Sequence, residues 1–273
     1  MKKALFRKTI WDYYKKYGRA LPWRLSNGTQ QSAYKILVSE LMLQQTQVDR
    51  VIPKYEAFLK AFPTLKSLAH ASQRNVLALW SGLGYNRRAL YLKRIAETVE
   101  EKHKGKLPQD EVSLLLLPGI GPYTARAVAA FAWNIPGVCI ETNIRSVYIH
   151  FFFKDRTEKI HDKEFLEKIA ETMDTENPRE WYWALMDYGA YLKKEGLGNN
   201  SRAKTYTKQK AFKGSEREVR GGIMKYLTQS QKIVSVAVLI KYLSFEEPRI
   251  MENLKNLQKE GFLKVLGKKI ELL

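Results

Sequence analysis

Leu114-Leu115-Leu116-Leu117-Pro118-Gly119-Ile120-Gly121-Pro122-Tyr123-Thr124-Ala125-Arg126-Ala127-Val128 joins two helical segments through a turn built on two glycines. The apolar run ends at Pro118, which cannot continue a helix interior. Gly119 and Gly121 flank one apolar residue. Pro122 stands where a first helical position would be, and the sequence from Thr124 onward favours helix. Such a turn presents backbone N–H groups at a helix N-terminus with no side chain over them. An anion such as a DNA phosphate fits there, so Gly119, Gly121 and Thr124 are expected DNA contacts. Taken alone, the same residues would also make an ordinary turn between packed helices.

Composition favours the phosphate. The 273 residues are 45% hydrophobic, yet carry a net charge of +19. That excess calls for a polyanionic partner, and nucleic acid is the first candidate. The length suits one large domain or two. The N-terminus, Met1-Lys2-Lys3-Ala4-Leu5-Phe6-Arg7-Lys8, lacks the apolar core of a signal peptide, and no apolar run reaches the length of a membrane span. Cys139 stands alone, which excludes an internal disulfide, a cysteine-ligated iron–sulfur cluster and a multi-cysteine zinc site within these residues. His70, His103, His150 and His161 show no paired ligand spacing. The expectation is an intracellular protein, cytoplasmic or nucleoid-associated. It should be a monomer with no cofactor, leaving a monovalent cation at the glycine turn as the one ion to consider.

Upstream of the turn the chain is helical with short breaks. Apolar spacing predicts a helix over 6–17, stopped by Gly18. Pro22 makes 19–24 irregular, and Ser26-Asn27-Gly28-Thr29 is a turn. The helix Tyr34–Gln45 is strongly apolar but interrupted by Glu40. If that turn of helix is buried, Glu40 titrates upward and becomes a general acid near neutral pH; if it is not, Glu40 is a solvated glutamate. Gln44, Gln45 and Thr46 end the helix in groups suited to base edges, and equally to a plain helix end. Helices follow over 48–61, 64–71, 74–80 and 89–103. Between the last two lies a second glycine turn, Ser81-Gly82-Leu83-Gly84-Tyr85-Asn86-Arg87-Arg88. On such a turn Tyr85 could wedge into a duplex and Arg87 and Arg88 could hold phosphates; a packed turn with solvated arginines would have the same sequence.

Beyond the opening stretch, Glu141-Thr142-Asn143 precedes a helix over 144–153, so Glu141 is either a helix cap or a functional carboxylate. Helices over 162–173 and 179–192 complete this part. Residues 193–213 are poor in apolar side chains and rich in lysine, including Lys204, Lys208 and Lys210, as expected of a solvated basic linker that follows phosphates. Residues 214–273 then give helical segments over 216–227, 234–243 and 247–260. An alternating stretch around Gly267-Lys268 reads as a hairpin. Three helices and a hairpin suggest a small winged-helix-like domain.

These pieces, in this order, resemble the helix-hairpin-helix DNA glycosylases, and among them the MutY-like adenine glycosylases. The matching residues are Leu21-Pro-Trp-Arg24, Ser39-Glu-Leu-Met-Leu-Gln-Gln-Thr-Gln-Val48, Val51-Ile-Pro53, Leu79-Trp-Ser-Gly-Leu-Gly-Tyr85, Leu117-Pro-Gly-Ile-Gly-Pro-Tyr-Thr-Ala125 and Met186-Asp-Tyr-Gly-Ala190. They span roughly residues 6–192. The resemblance implies an all-α fold of two helical lobes and a base flipped out of mismatched or damaged duplex DNA. It gives Glu40 the role of the acid that protonates the departing adenine, and Glu141 that of the carboxylate that steadies the cationic sugar. Tyr123 matches a tyrosine that supports this carboxylate, and Asn143 matches an asparagine of the same motif. Arg19, Trp23, Leu43 and Val48 match the base pocket, and Gln45 and Tyr85 match residues inserted into the duplex. The lysine of strand-cleaving relatives is replaced by Tyr123, which implies base release alone. The implied function is excision of adenine opposite 8-oxoguanine or guanine in base excision repair.

The chain departs from the family in four places. The four-cysteine cluster is absent and the basic segment 193–213 stands in its place. A short winged-helix-like segment replaces the MutT-like domain. Glu141 stands for an aspartate, and Trp183 stands where a Glu or Gln faces adenine, which makes it a base-pocket residue of different chemistry. Two other functions stay open on sequence grounds. One is a glycosylase for another damaged purine, or for thymine or uracil opposite guanine; the other is a DNA-binding module without catalysis.

Overall fold

The computed structural model describes residues 1–24, 29–209, 211–230 and 233–273, and only the backbone of Gln31. The turn expected at Ser26-Asn27-Gly28 and the basic residue Lys210 lie outside the described residues. The chain divides into two compact units, each assembled from two separated stretches: residues 1–40 with 106–208, and 41–105 with 209–273.

The first unit is helical. It holds α1 (Lys3–Tyr17), a 3-10 turn (Pro22–Arg24), most of α2 (Gln30–Leu43), and then α7 (Glu111–Leu115), α8 (Pro122–Trp133), α9 (Thr142–Phe152), α10 (Asp162–Thr172) and α11 (Pro178–Lys194). Its core gathers aromatic rings from several helices. Phe6 meets Tyr148, Phe152 and Trp181 edge-on at centroid distances of 4.8–5.8 Å. The glycine turn forms as its sequence dictates. Asp110 caps α7 through the Ser113 N–H, and Gly119 takes a φ of 75° that a side chain would oppose. Gly121 caps α8, with Pro122 at its first position. Leu114 and Leu117 are buried while Leu116 is 80% exposed, so the leucine run is one amphipathic turn of helix and not a wholly buried segment.

The second unit holds the end of α2, then α3 (Val48–Ala61), α4 (Leu65–Ala69), α5 (Gln73–Trp80) and α6 (Arg87–Lys102). Its C-terminal stretch supplies α12 (Glu216–Gln229), β1 (Val234–Ser235), α13 (Val236–Tyr242), α14 (Glu247–Lys259), β2 (Leu263–Leu266) and β3 (Lys269–Leu272). The strands form one antiparallel sheet in the order β1-β3-β2, with Val265 and Val234 both opposite Ile270. The hairpin falls where alternation placed it. β1 is a strand at the start of the helix expected over 234–243: Val234 is drawn into the sheet by its pairing with Ile270, a long-range contact that local pattern does not encode.

Residues 214–273 are not set apart from the rest. Arg74 on α5 donates to the Ser230 carbonyl at 2.8 Å, and Gln73 donates to the Gly261 carbonyl at 2.8 Å. Glu260 binds Arg220 and also Arg87 on α6. Residues 193–213 are likewise not solvated throughout. Ile160 and Ala203 pair in a parallel bridge, Ala203 is buried, and Asn200 donates to the Ser146 hydroxyl at 2.7 Å. Few apolar residues suffice to anchor that segment, because backbone pairing holds it. Among the described residues no helix is long and apolar enough to cross a membrane, and no cluster of three or more acidic, histidine or cysteine side chains is arranged to hold a metal ion.

Candidate active site

The first unit brings Glu40, Tyr123, Glu141 and Asn143 together. Glu40 lies three residues from the end of α2, in a turn where Ile36, Leu37, Val38 and Ser39 are all but inaccessible to solvent. Glu40 itself is 6% exposed. Burial pushes its carboxyl up to about 7, and the neighbouring charge of Glu141 adds to this; a hydrogen bond from the Tyr123 hydroxyl and the charge of Arg24 work the other way. The glycine turn therefore does a second job, since Tyr123 is the second residue of the helix that it starts.

Glu141 is the N-cap of α9. Its Oε1 accepts the Ile144 N–H at 2.7 Å and its Oε2 accepts from the Asn143 side-chain amide at 3.2 Å. Burial raises its pKa as well, opposed by the backbone N–H groups of Asn143 and Ile144 and by Arg145 and Arg19. The cap reading of Glu141 is present in the structure, and the helix N-terminus that it closes supports negative charge on its carboxyl. Gly189 on α11 makes room for this helix start, since a Cβ there would sit 2.3 Å from the Asn143 carbonyl oxygen.

Two carboxyls in one site lie in different surroundings. Glu40 has few donors and holds a proton near neutral pH. Glu141 is met by N–H groups, which favour its charged form against the burial that disfavours it. Such a pair can protonate a leaving group and steady a developing cation.

Behind them stands an ion cluster that local pattern did not single out. Asp187 on α11 is 2% exposed and accepts from the Arg19 N–H at 2.8 Å, the Arg19 Nε at 2.6 Å, and the Arg24 Nη1 and Nη2 at 2.7 and 2.8 Å. Arg24 also lies over the Trp183 ring, 5.5 Å from its centre. Asp187 thereby fixes the irregular segment 19–24 that carries Trp23. A signal was present in the sequence, because a lone aspartate inside an aromatic helix is the same kind of interruption as Glu40. Trp23 and Trp183 are each 5% exposed, and Trp183 also leans on Phe131. Arg19 is partly exposed and spends its Nε on Asp187.

Leu43, Gln44, Thr46 and Val48 of the second unit are half-buried, and Gln45, Tyr85 and Arg87 are exposed. Arg88 is a correction. It is 6% exposed and donates to the carbonyls of Leu41, Met42 and Gln44 at 2.6–2.8 Å, and to that of Gly84 at 2.9 Å. Its charge satisfies the open carbonyls at the end of α2 and holds the second glycine turn, so it is not available to a phosphate. Arg87 is paired with Glu260 at 3.0 Å. Lys204 and Lys208 are exposed, while Thr124 is buried within α8. Gly119 and Gly121 frame the turn itself.

Residues 38–172 match the family model of the HhH-GPD superfamily base excision DNA repair proteins. The chain contains an HhH-GPD domain. It is 34% identical, over 193 residues, to a protein of Buchnera aphidicola subsp. Baizongia pistaciae named adenine DNA glycosylase; the match covers 70% of this chain and 54% of that one. A protein of the same name from Mycolicibacterium smegmatis is 44% identical over 136 residues, half of this chain and 45% of the relative. Among solved structures, a thermostable thymine-DNA glycosylase is 26% identical with a TM-score of 0.62, covering 69% of this chain and 86% of the other. The chain spans about half the length of the curated relatives it matches. The helical HhH-GPD fold expected from the sequence is therefore present.

Proposed function

We propose that this chain is a monofunctional DNA N-glycosylase of base excision repair that removes adenine paired with 8-oxoguanine or guanine. The supporting observation is the pairing of buried Glu40, hydrogen-bonded to Tyr123, with the half-buried Glu141 close enough for its charge to act on both. Glu40 protonates a ring nitrogen of the extruded adenine, which then leaves as a neutral base. Glu141, with Asn143 and the start of α9, holds the negative charge that a cationic sugar needs. Water completes the exchange: the N-glycosidic bond breaks, its electrons leave with the base that Glu40 has protonated, the sugar takes hydroxide from water, and the remaining proton of that water restores Glu40. Tyr123 offers no amine for a Schiff base, so strand cleavage does not follow. Duplex DNA is the partner, met by the glycine turn and by the basic surface, and no iron–sulfur cluster is needed by these 273 residues with their single cysteine. The chain then works wherever chromosomal DNA is kept.

Trp183 favours a second substrate. Its ring stacks but offers a single donor, a poor match for the two-sided edge of adenine, and one similar solved structure is a thymine-DNA glycosylase. Single-turnover base release from duplexes carrying A:8-oxoG, A:G, T:G and U:G separates the two. Adenine release lost in Glu40→Gln supports the first. Release of thymine or uracil alone replaces it with the second, and release that survives Glu40→Gln removes Glu40 as the acid.

A further inference from the structure

Between α8 and α9 the chain runs through Asn134-Ile135-Pro136-Gly137-Val138-Cys139-Ile140 and forms neither helix nor strand. Pro136 has no N–H to give and Gly137 has the freest backbone of any residue, so local preference does not order this stretch. Yet it delivers Glu141, whose carboxyl has to be placed closely if it is to meet a developing cation. What holds the stretch comes from the helices around it.

At its start, the Asn134 side chain accepts the Arg179 N–H and donates to the Glu176 carbonyl, each at 3.1 Å. In its middle, Arg126 of α8 donates to the Val138 carbonyl at 3.2 Å and is itself fixed by Glu111 of α7 at 2.8 Å. The third hold is Tyr182 of α11, which is wholly buried. Its hydroxyl donates to the Gly137 carbonyl at 2.7 Å and accepts the Cys139 N–H at 3.0 Å. The Met173 sulfur, 3.2 Å away, is a weak acceptor beside that carbonyl, so the one proton goes to Gly137. One oxygen therefore ties the residues on both sides of Val138, just ahead of Glu141. Packing alone does not call for it, since a phenylalanine would fill the same volume. The same helix carries Gly189, about two turns further on, against which the start of α9 rests. α11 thus meets the backbone before Glu141 through Tyr182 and the backbone after it through Gly189.

We propose that Tyr182 and Arg126 are positioning residues for Glu141: by pinning the backbone of residues 137–139 they set where its carboxyl stands. The inference rests on the glycosylase function proposed above. A glutamate has one more rotatable bond than an aspartate and so more ways to misplace its charge. The pinned backbone ahead of Glu141, with the Ile144 N–H and the Asn143 amide on its two oxygens, removes that freedom. Neither Tyr182 nor Arg126 needs to touch a substrate to do this.

The test takes two readings on the full chain. Cys139 is its single cysteine and is 1% exposed, so the rate at which an aromatic disulfide modifies that thiol reports the opening of residues 137–139. Base release is measured in single turnover at saturating protein, beside the Kd for an undamaged duplex. Tyr182→Phe removes one oxygen. It should speed modification of Cys139 and slow release, each by about tenfold, and leave Kd within about twofold. Tyr148→Phe removes another buried hydroxyl of the same unit, bonded to Thr172 at 2.6 Å, and should move neither rate even where it lowers Tm. Arg126 is partly exposed, so Arg126→Met answers even if Tyr182→Phe unfolds, and should change both rates by about threefold. Release as fast as in the native chain from both variants overturns the proposal. So does a thiol no more reactive than in the native chain, and so does an equal loss of release in Tyr148→Phe, which would make the effect one of stability alone. If release occurs and the variants do not slow it, only this inference fails. If the native chain releases no base from any duplex, the glycosylase function fails, and the thiol rates alone then uphold or overturn the hold on Glu141.

Discussion

Glu40 is a costly residue to bury, and its cost has a sign. Its folded-state pKa is raised from 4.5 to about 7, so the folded chain binds a proton that the unfolded chain releases. Stability is unaffected below about pH 4.5 and falls as the pH rises through 7, by a total on the order of 3 kcal/mol. Glu40→Gln should therefore raise Tm at pH 8 and leave it nearly unchanged at pH 4.5, as thermal melts at both values would show. On the proposed mechanism the same titration sets the rate: base release should decline as pH rises above 7, when Glu40 loses the proton that mechanism requires. A flat profile from pH 6 to 9 would remove it as the acid. Gly189 supplies another prediction at this scale. In Gly189→Ala the new methyl meets the Asn143 carbonyl, so the variant should lose about 1–3 kcal/mol of stability and displace Glu141, measured by denaturant unfolding together with base release. The interruption of an apolar helix by one carboxylate was legible in the sequence. That this carboxylate is buried was decided by packing with parts of the chain remote from it, Tyr123 and Glu141 among its neighbours.

Helix ends carry most of what the elements contribute. α8 starts at a glycine turn and so places Tyr123; α9 starts at Glu141 and so places a charge; α2 ends on Arg88 and so fixes Gln45. Arg88→Ala would leave several carbonyls without their donor inside the second unit and should cost about 3 kcal/mol or more, seen as a lowered unfolding midpoint. Most helices were readable from apolar spacing, proline and glycine, and their bounds agree within a few residues. β1 and the pairing of Ile160 with Ala203 were not readable, because each depends on a partner strand far along the chain. Arg88 misled for the same reason. An arginine after a glycine turn looks solvated until the carbonyls it serves are folded around it.

At the scale of the molecule, a net charge of +19 should make duplex affinity fall steeply with salt. Binding measured from about 50 to 200 mM salt tests this, and a flat response would contradict a phosphate-dominated interface. The two compact units are each built from separated stretches, and the C-terminal helices and sheet share a unit with residues 41–105. Composition suggested a boundary near residue 193, yet Arg74, Gln73 and Glu260 make the C-terminal stretch part of a larger core. By itself the sequence determined what is local: where helices start and stop, the glycine turn, the basic charge, and the two carboxylates in their motifs. These follow from residue spacing and backbone freedom, which act over a few residues. Only the tertiary structure decided that Glu40 is buried, that Asp187 anchors the segment before it, that Arg88 is spent on carbonyls, and that Tyr182 reaches the stretch ahead of Glu141. Desolvation and charge pairing depend on what surrounds a side chain, and those neighbours arrive from distant parts of the chain.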